Sequence, residues 1–487
     1  MKIALVLVFL SLLLVSPIGA QGWSAPLSIS NVPGPDTSPD FCIDSFGVLH
    51  CVWSHVYNVV NHKRVFYSKS TDSGNTWTQA ILISEDSISV AVYPIIRCDS
   101  QNNLFVAYSY GSGNEDSRVH IRKFDGTAWS EIFNVGESLN PVSVIDMVVD
   151  NNDLVYIFIY YGGTYGYSLY RSWNGSVWSD LVVLYDGESY NNSIYNVKCD
   201  MNNNLHCLSI YRPNGQTYYA NRAAYCCFDS SINEWNSPLV LSTAYTPSSS
   251  CLGDINLDIN QNPSITWRQD ENYGTGYYSF FEDSFWQGPF ELVDSLYDVR
   301  HAIDSLNSRH WIGVKRDFTA PYTWTYNLVY ICEPANTLTT ITDFAYGTFY
   351  PRLLRNNNEL YLIFSGSDIS GQPEVYVMKK DLTPSSSEDD VIEETPGISE
   401  IALYPNPAKH FVTIEFLSKE NMPLVVDVFN LRGQRVSEVH SGPLDKGKHQ
   451  MTWDTRDSNG GRTANGIYMF RFRSASNQCF RKFILLR

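Results

Sequence analysis

The sequence predicts an all-β protein in which a β-propeller is followed by a small β-sandwich. Two repeated patterns predict the propeller. Pairs of apolar runs joined by Asn, Asp and Gly recur through residues 21–383, and a Trp followed by a small or polar residue recurs every 49 to 57 residues over most of that range. A period of about 50 residues with four short strands per unit is typical of propeller blades. Alternating apolar and polar runs between Gly/Asn turns in residues 401–487 predict the sandwich.

The first twenty residues have the pattern of a signal peptide. Lys2 supplies the positive charge, residues 3–15 are almost entirely apolar, and the small residues of "PIGA" precede Gln21. We therefore expect residues 1–20 to direct export. No later stretch approaches the roughly 20 apolar residues of a membrane helix, so we expect a chain that does not span a membrane.

Charge separates the chain into parts with different properties. Residues 401–487 hold 13 Lys and Arg against 7 Asp and Glu, whereas residues 384–400 hold six acidic and no basic side chains. These two contributions cancel, so the net charge of −17 is that of residues 1–383. An acidic body disfavours nucleic acid, which needs cations to neutralise its phosphates. The Ser/Pro-rich, acidic stretch 384–400 is expected to be a linker.

The ends of the repeat region predict how the ring closes. The chain opens with an outer-strand sequence, "WSAPLSIS" at Trp23, that has no preceding strands, and the last repeat ends at "EVYVMKKDL" without such a strand. We therefore expect Trp23–Ser30 to pair with Glu374–Lys379 and remove the exposed edge. Seven inner hairpins predict seven blades. Six is the alternative, because the sixth repeat lacks its Trp.

The stretch "STDSGNTW" (Ser70 to Trp77) combines turn residues with an aromatic anchor. Ser70 and Asp72 can bond to the backbone of their own turn, Gly74 permits a positive φ, and Trp77 can pack the outer strand. The motif resembles the Asp box of sialidase-like BNR-repeat proteins. Later copies lose the Asp and keep the Trp, so we expect a structural role for these four residues.

The resemblance implies a sialidase-like fold and raises the question of catalysis. Such enzymes have an Arg-Ile-Pro motif before the first inner strand and three Arg that hold the substrate carboxylate. The corresponding stretch here, "NVPGPDTSPDFCI", contains no Arg, and the nearest echo, "YPRLLR" at 350–355, falls in the wrong blade. We predict no catalytic residue, cofactor or metal site. A glycoside hydrolase of sialidase-like fold, with an unrecognised carboxylate pair, remains the alternative.

The loops between the second and third strands of several blades are rich in Tyr, Trp, Gly and Asn. Aromatic side chains with a polar edge on adaptable loops suit the recognition of sugars or protein surfaces. We therefore predict a binding module for a glycan or a protein, and a structural protein without a small ligand stays open as a third reading. The possible ligand-binding residues are Tyr165, Arg212, Tyr273, Tyr322 and Trp324.

Three other features of the repeats are explained by packing and turn formation without a ligand or a metal. His50, His206 and His310 share a position that holds Phe, Tyr or Ser in other blades, so packing explains them better than metal binding. The recurrent "D-x-x-N-N-L" turns lack the bidentate Glu of a calcium loop and fit turn chemistry. Most of the ten Cys are expected to be small core residues.

Residues 401–487 contain a series of motifs in a fixed order. "YPNP", "VFNLRGQRV", "WD…NG…ANGIY" and a basic final strand follow one another. The set resembles the C-terminal sorting domain of type IX secretion cargo, and part of it resembles the immunoglobulin-like domain of flagellar hook-capping proteins. The resemblance implies an immunoglobulin-like sandwich, a partner in the outer-membrane secretion machinery, and a protein secreted or attached to the outer cell surface after passage through the periplasm.

Overall fold

The computed structural model describes residues 22–485 with gaps at 31–33, 58–61, 86–89, 112–116, 136–141, 162–166, 185–189, 214–220, 243–252, 270–273, 320–322, 334–337, 368–370, 384–397, 406–407, 431–434, 459 and 475–477. The predicted signal peptide and most of the predicted linker therefore lie outside the described residues. The chain divides into two compact units, one ending at Thr383 and one beginning at Pro384. All the named elements are β-strands. Nowhere in the described ranges is there a helix with the length and hydropathy to cross a membrane.

The strands of the first unit form antiparallel groups of about four. The bounds, group by group, are β1 (Leu27–Ser28), which belongs to the last group; β2 (Asp36–Ile43), β3 (Leu49–Tyr57), β4 (His62–Ser70), β5 (Ile81–Leu82); β6 (Val90–Cys98), β7 (Leu104–Gly111), β8 (Ser117–Phe124), β9 (Phe133–Asn134); β10 (Val142–Val149), β11 (Val155–Tyr161), β12 (Tyr167–Trp173), β13 (Val182–Val183); β14 (Tyr190–Cys199), β15 (Leu205–Pro213), β16 (Arg222–Asp229), β17 (Glu234–Trp235), β18 (Leu239–Val240); β19 (Asp254–Leu257), β20 (Pro263–Gln269), β21 (Thr275–Glu282), β22 (Phe285–Asp294); β23 (Leu296–Ile303), β24 (Arg309–Thr319), β25 (Thr323–Cys332), β26 (Thr339–Thr340); and β27 (Thr348–Asn356), β28 (Glu359–Ser367), β29 (Pro373–Asp381).

The first strands of these groups form a closed circle. β2 contacts β6, and the contacts continue in chain order through β10, β14, β19, β23 and β27, which contacts β2 again. Sheets arranged radially around such a circle of inner strands make a β-propeller, as the sequence predicts. We infer one blade from each group and number the blades 1 to 7 from β2.

The N-terminal strand completes the last blade. Leu27 pairs with Val377 and Ser28 with Tyr376, and the backbone N–H of Ile29 donates to the Val375 carbonyl at 2.9 Å. The predicted pairing of Trp23–Ser30 with Glu374–Lys379 is confirmed. Trp23 is only 3% exposed and meets the ring of Tyr330 edge-on at 5.5 Å, so it also joins the cores of blades 6 and 7.

Large side chains on the second strands fill the space between neighbouring blades. These strands lie between two others and are buried on both sides, which explains their nearly continuous apolar runs. Cys51 and Cys207 are fully buried on two of them, among apolar neighbours. Two residues after the position of Cys51, four blades carry a bulky aromatic side chain without solvent exposure. These residues are Trp53, Tyr108, Trp267 and Phe364.

The second unit is a two-sheet sandwich, as predicted. One sheet has the order β30 (Ile398–Tyr404), β31 (Val412–Ser418), β34 (Gly447–Trp453), and the other has the order β33 (Arg435–Leu444), β32 (Met422–Asn430), β35 (Gly466–Arg473), β36 (Gln478–Leu485). Aromatic residues from both sheets share one core. The first strand begins three residues before 401, inside the predicted linker, because Ile398 is buried in this core.

Candidate ligand-binding site

The propeller has two faces with different residues. We call the side where first strands end and turn into second strands the turn face. The opposite side, where first strands begin and where the loops between second and third strands lie, is the loop face. Because every blade has the same strand order, the turns of all blades gather on one side and these loops on the other.

Each turn from Asp44 to Asp304 is organised by one carboxylate. The Asp accepts backbone N–H bonds from the residues two and four positions later, at 2.8 to 3.0 Å. These are Asx turns, which explains why Asp begins each one. The six residues concerned are Asp44, Asp99, Asp150, Asp200, Asp258 and Asp304.

Neighbouring turns are also bonded to each other. The residue after the turn Asp donates its backbone N–H to the side chain of a left-handed residue in the next blade. Examples are Ser45 to Asn102 at 2.9 Å and Asn151 to Asn203 at 3.0 Å. The same contact recurs from Ser100 to Asp153, Met201 to Gln261 and Ile259 to Asn307. The repeated Asp and Asn residues therefore hold blades together, which favours turn chemistry over calcium binding.

The three repeated histidines lie beneath these turns. Nδ1 of His50 is 2.8 Å from the Tyr67 hydroxyl, and its Nε2 is 3.2 Å from Asp44. His206 and His310 make the same pair of contacts, to Tyr225 and Asp200 and to Tyr330 and Asp304. The repetition in three blades fits structural bridges between turn and third strand. Across the described ranges, no cluster of three or more His, Cys, Asp or Glu could hold a metal ion.

The motif at Ser70–Trp77 uses its polar atoms within its own turn. The Asp72 carboxylate accepts bonds from the Thr76 hydroxyl at 2.6 Å and the Thr76 N–H at 2.8 Å, and Ser70 Oγ accepts the Gly74 N–H at 2.9 Å. The hydrogen bonds from Thr76 lower the pKa of Asp72 to about 2. Gly74 has φ +80, and the Trp77 indole N–H donates to the Gly74 carbonyl at 3.3 Å. We infer a structural role for these residues.

The loop face differs because the first strands are irregular there. In most blades the pairing of first and second strand shifts by a β-bulge within a few residues of the strand start. A bulge leaves residues outside the regular ladder and turns their side chains in a new direction. The first residues of these bulges are Ser38, Tyr93, Ile145, Tyr195, Tyr297 and Tyr350.

Three bulge residues have strained backbones. Ser38, Tyr93 and Tyr350 have φ values of 54, 54 and 55, and each precedes a buried proline. A left-handed conformation is rare for a bulky residue, and a following proline further disfavours helical backbone angles. Such strain costs on the order of 1–3 kcal/mol per residue and concentrates at functional sites. The outliers therefore identify this part of the loop face as a candidate site.

Three of the tyrosines at these bulges are exposed and close together, whereas Tyr195 packs against the core between its blades. Tyr93, Tyr297 and Tyr350 are 55%, 40% and 41% exposed. Burial of the Tyr350 hydroxyl raises its pKa, and the nearby Tyr93 and Tyr297 hydroxyls act in the same direction. In blade 1, between Tyr93 and Tyr350, the equivalent residue is the smaller Ser38, which is buried and bonded to the Tyr350 side chain.

A belt of paired charges lies next to the tyrosines on the first strands. Arg97 bridges two blades, with Nη1 2.7 Å from Asp40 and Nη2 2.7 Å from Asp146. Burial disfavours the charge of Arg97, but the two carboxylates outweigh it and raise its pKa. Asp40 also accepts the Ile96 N–H at 3.0 Å. The belt therefore fixes neighbouring blades to each other while keeping charged groups at the centre of the ring.

Arg352 is the most accessible cation of the belt. Its side chain is 35% exposed, against 23% for Arg97 and 13% for Arg300. Its Nε is 3.5 Å from Asp40, and Arg300 is held by Asp298 at 3.2 Å. Burial and the like charge of Arg300 lower the pKa of Arg352. Only Pro351 separates Arg352 from Tyr350 in the chain, so a hydrogen-bond donor lies close to the exposed rings.

Two of the five ligand residues predicted from the sequence lie within the described part of the chain. Arg212 lies near the end of β15, paired with Asn191, and is half-buried. Trp324 lies at the start of β25, is 39% exposed, and has the Arg316 guanidinium 3.6 Å from its ring centre. Tyr165, Tyr273 and Tyr322 lie outside the described residues. Their role in binding stays a prediction.

The sequence interpretation missed Tyr93, Tyr297 and Tyr350. The sequence does contain a signal for Tyr93 and Tyr350. Each precedes a proline, in "YPI" and "YPR", and lies at the same distance before a turn residue, Asp99 or Asn356, as Ser38 of "SPD" does before Asp44. In the sequence alone, "YPRLLR" stands out only as a partial match to a catalytic motif. Its Arg352 does reach the centre of the ring, beside Arg300 and near Arg97.

Comparison with known proteins identifies the C-terminal unit. Residues 402–486 match the family model of the secretion system C-terminal sorting domain. The chain therefore carries a type IX secretion sorting domain, and it is exported to the cell surface or the medium. A search of curated proteins found no match.

Solved structures similar to the chain include three of different kinds. An α-L-arabinanase of Penicillium chrysogenum, complexed with arabinobiose, is 13% identical with a TM-score of 0.45 over 74% of this chain and 99% of its own. A protein of unknown function from Dyadobacter fermentans is 9% identical with a TM-score of 0.48 over 74% and 100%. PorZ of Porphyromonas gingivalis, a surface component of the type IX secretion system, is 14% identical with a TM-score of 0.32 over 93% and 68%. These similarities are too low to assign a ligand.

Proposed function

We propose that this exported propeller is a glycan-binding module and that its binding site is the cluster of Tyr93, Tyr297 and Tyr350 with Arg352 on the loop face. The observation that carries the proposal is the pair of exposed tyrosines held in a left-handed backbone. An exposed Tyr could be replaced by Asn or Gly at lower conformational cost, so retention of the rings at strained positions supports a role in binding.

The chemistry of the cluster suits sugars. Aromatic rings pack against the C–H faces of sugar rings, while tyrosine hydroxyls and a guanidinium bond to sugar hydroxyls. The three hydroxyls and Arg352 lie on first strands of a closed ring rather than on long loops, so the site is rigid. Of the predicted loop residues, Arg212 and Trp324 would then contribute from the loop face, and a role for Tyr165, Tyr273 and Tyr322 stays a prediction.

The central carboxylates support binding rather than hydrolysis. A glycosidase needs one carboxyl group as a proton donor and a second as nucleophile or base. In the belt, Asp40 and Asp146 pair with Arg97, and Asp298 pairs with Arg300. Asp254 accepts the His301 N–H at 3.3 Å. Asp40, Asp146 and Asp254 therefore join neighbouring blades, and Asp298 is paired within its own strand.

A glycan array and a panel of glycosidase substrates, applied to the purified protein and to a Tyr350→Ala variant, test the proposal. We expect the protein to bind at least one glycan class without releasing product, and Tyr350→Ala to weaken binding at least tenfold. The matched control is Phe46→Ala, an aromatic residue 83% exposed on the turn face, which should bind like the parent. Turnover of a bound glycan would establish the hydrolase instead, and binding only to a protein would contradict the glycan assignment.

A further inference from the structure

A second aromatic cluster continues the site toward the rim of the propeller. The ring of Tyr297 meets Tyr326 edge-on at 6.2 Å, and Tyr326 lies 5.3 Å from Phe349 on the first strand of blade 7. Phe349 directly precedes Tyr350. These contacts cross from blade 6 to blade 7, so the two clusters form one continuous set of ring contacts, in which Tyr326 and Phe349 are half-buried.

The cluster extends outward along strand β25. Trp324 and Tyr326 are two residues apart on this strand, so their side chains lie on the same face of the sheet, about 7 Å apart along the strand. Tyr326 contacts Phe349 of blade 7, which means that this face looks toward blade 7. Trp324 lies one residue beyond the strand start, at the tip of the β24–β25 hairpin. The aromatic path therefore runs from the central tyrosines to the β24–β25 hairpin along the boundary between blades 6 and 7, which we call the groove.

Most cations along this groove are paired or lie over an aromatic ring. Arg268 lies 5.1 Å from the ring centre of Tyr297, and Arg316 lies 3.6 Å from that of Trp324. Lys315 is paired with Asp317 at 3.1 Å. Arg300 is paired with Asp298 at 3.2 Å, and Arg352 lies 3.5 Å from Asp40.

We infer that the ligand is an uncharged, linear oligosaccharide whose chain runs from the central tyrosines outward along this groove, with Trp324 and Tyr326 as the distal subsite. Cations that already pair with carboxylates or lie over rings attract an acidic chain weakly, whereas aromatic rings spaced along a line offer successive surfaces for sugar rings. The inference rests on the proposed function and adds the direction, minimum length and charge of the ligand.

Affinity measured against chain length tests this inference. The probes are size series of neutral oligosaccharides (gluco-, manno-, xylo- and arabino-oligosaccharides), with oligogalacturonates as an acidic series, titrated calorimetrically into the full chain. We expect a neutral series to bind more tightly as it lengthens, until the distal subsite is filled. Trp324→Ala should weaken long members about tenfold and leave the shortest bound member unchanged. Tyr350→Asn should weaken every member.

Two controls separate local effects from misfolding. Trp324→Phe retains a ring and should restore most of the length dependence. Phe285→Ala removes another exposed aromatic residue, 70% exposed at the start of β22, and should leave all affinities unchanged.

Equal affinity for all lengths, or tighter binding of the acidic series, would overturn the inference while leaving the glycan-binding proposal standing. Failure of every series to bind would overturn the glycan-binding proposal and this inference with it.

Discussion

The two faces of the propeller are made from the same repeat, yet they use their residues differently. On the turn face, the carboxylates and amides of successive hairpins bond to their own turn or to the next one, and the left-handed residues are mainly Asn, Asp and Gln. On the loop face, left-handed positions hold Tyr93 and Tyr350, whose side chains are exposed. On the turn face, left-handed positions are therefore filled mainly by residue types that tolerate them. On the loop face, two such positions carry Tyr, and the backbone strain remains.

This difference distinguishes scaffold from site more clearly than conspicuous motifs do. The most recognisable motif, at Ser70–Trp77, has its polar atoms occupied within a turn. The candidate site has no recognisable motif, but it combines strain, exposed aromatic rings and an accessible cation. Residues that hold a strained backbone conformation without a stabilising contact in the scaffold are the better guide to function.

The largest expected effect comes from breaking the ring that positions both faces. Deleting residues 22–30 removes β1 and Trp23, and Trp23 alone should account for about 3–5 kcal/mol. We expect the free energy of unfolding to fall by more than about 5 kcal/mol and the exposed edge of β29 to promote association. Urea unfolding and light scattering measure the two effects. A truncated chain that stays monomeric and melts like the parent would show that closure contributes little.

A smaller effect should follow from removing the anchor of the turn-face motif. Trp77 is partly buried, so Trp77→Ala should lower the free energy of unfolding by about 2–3 kcal/mol, less than for a fully buried Trp. Glycan affinity should not change, because Trp77 packs beside the turn and far from the central tyrosines. Loss of affinity in the folded variant would move the motif from scaffold to site.

Because the loop face is strained, relieving the strain should raise the free energy of unfolding instead of lowering it. Asn adopts left-handed backbone angles more readily than Tyr, and the Tyr93 side chain is more than half exposed. Tyr93→Asn should therefore raise the free energy of unfolding by about 1 kcal/mol, as measured by urea denaturation. The comparison variant is Tyr297→Asn, which lacks a left-handed backbone and should gain nothing. Equal effects in the two variants would mean that strain at Tyr93 is not released.

The smallest expected effect is a pH dependence on the turn face. The pKa of Asp72 is lowered to about 2 by its bonds from Thr76, below the value of about 3.9 for an unfolded chain. Its contribution is therefore present above pH 4 and lost as the pH falls through 2. The difference in stability between the parent and Asp72→Asn should shrink over that range. A difference that persists unchanged at pH 2 would contradict the bonded carboxylate.

Sequence reasoning could predict the scaffold because its signals are local and repeated. Outer-strand Trp residues, turn Asp residues and the unpaired first strand at Trp23 each recur or stand out along the chain, and these features were enough for the propeller and its closure. The sandwich was predictable in the same way, from alternating strands and ordered motifs.

The candidate site could not be predicted in the same way because it depends on ring closure. Tyr93 and Tyr350 are distant in sequence and come together only when blade 7 meets blade 1. A Tyr-Pro pair normally indicates an extended backbone, so its left-handed conformation is a tertiary effect. In the sequence, Arg352 stands out only as part of "YPRLLR", a partial match to the Arg-Ile-Pro motif in the wrong blade. Its position beside Arg300 and Asp40 depends on contacts between the first strands of different blades.

The most direct test of the central claim, that the loop face keeps strained tyrosines for binding, is the thermal midpoint of unfolding with and without the best glycan from the array. A ligand that binds only the folded state raises the midpoint of the parent, and the rise grows with the logarithm of ligand concentration above the Kd. For the double variant Tyr93→Asn/Tyr350→Asn, we predict a higher midpoint than the parent without ligand and no rise with ligand. A double variant that melts lower than the parent, or that is still stabilised by the glycan to the same extent, would contradict the account.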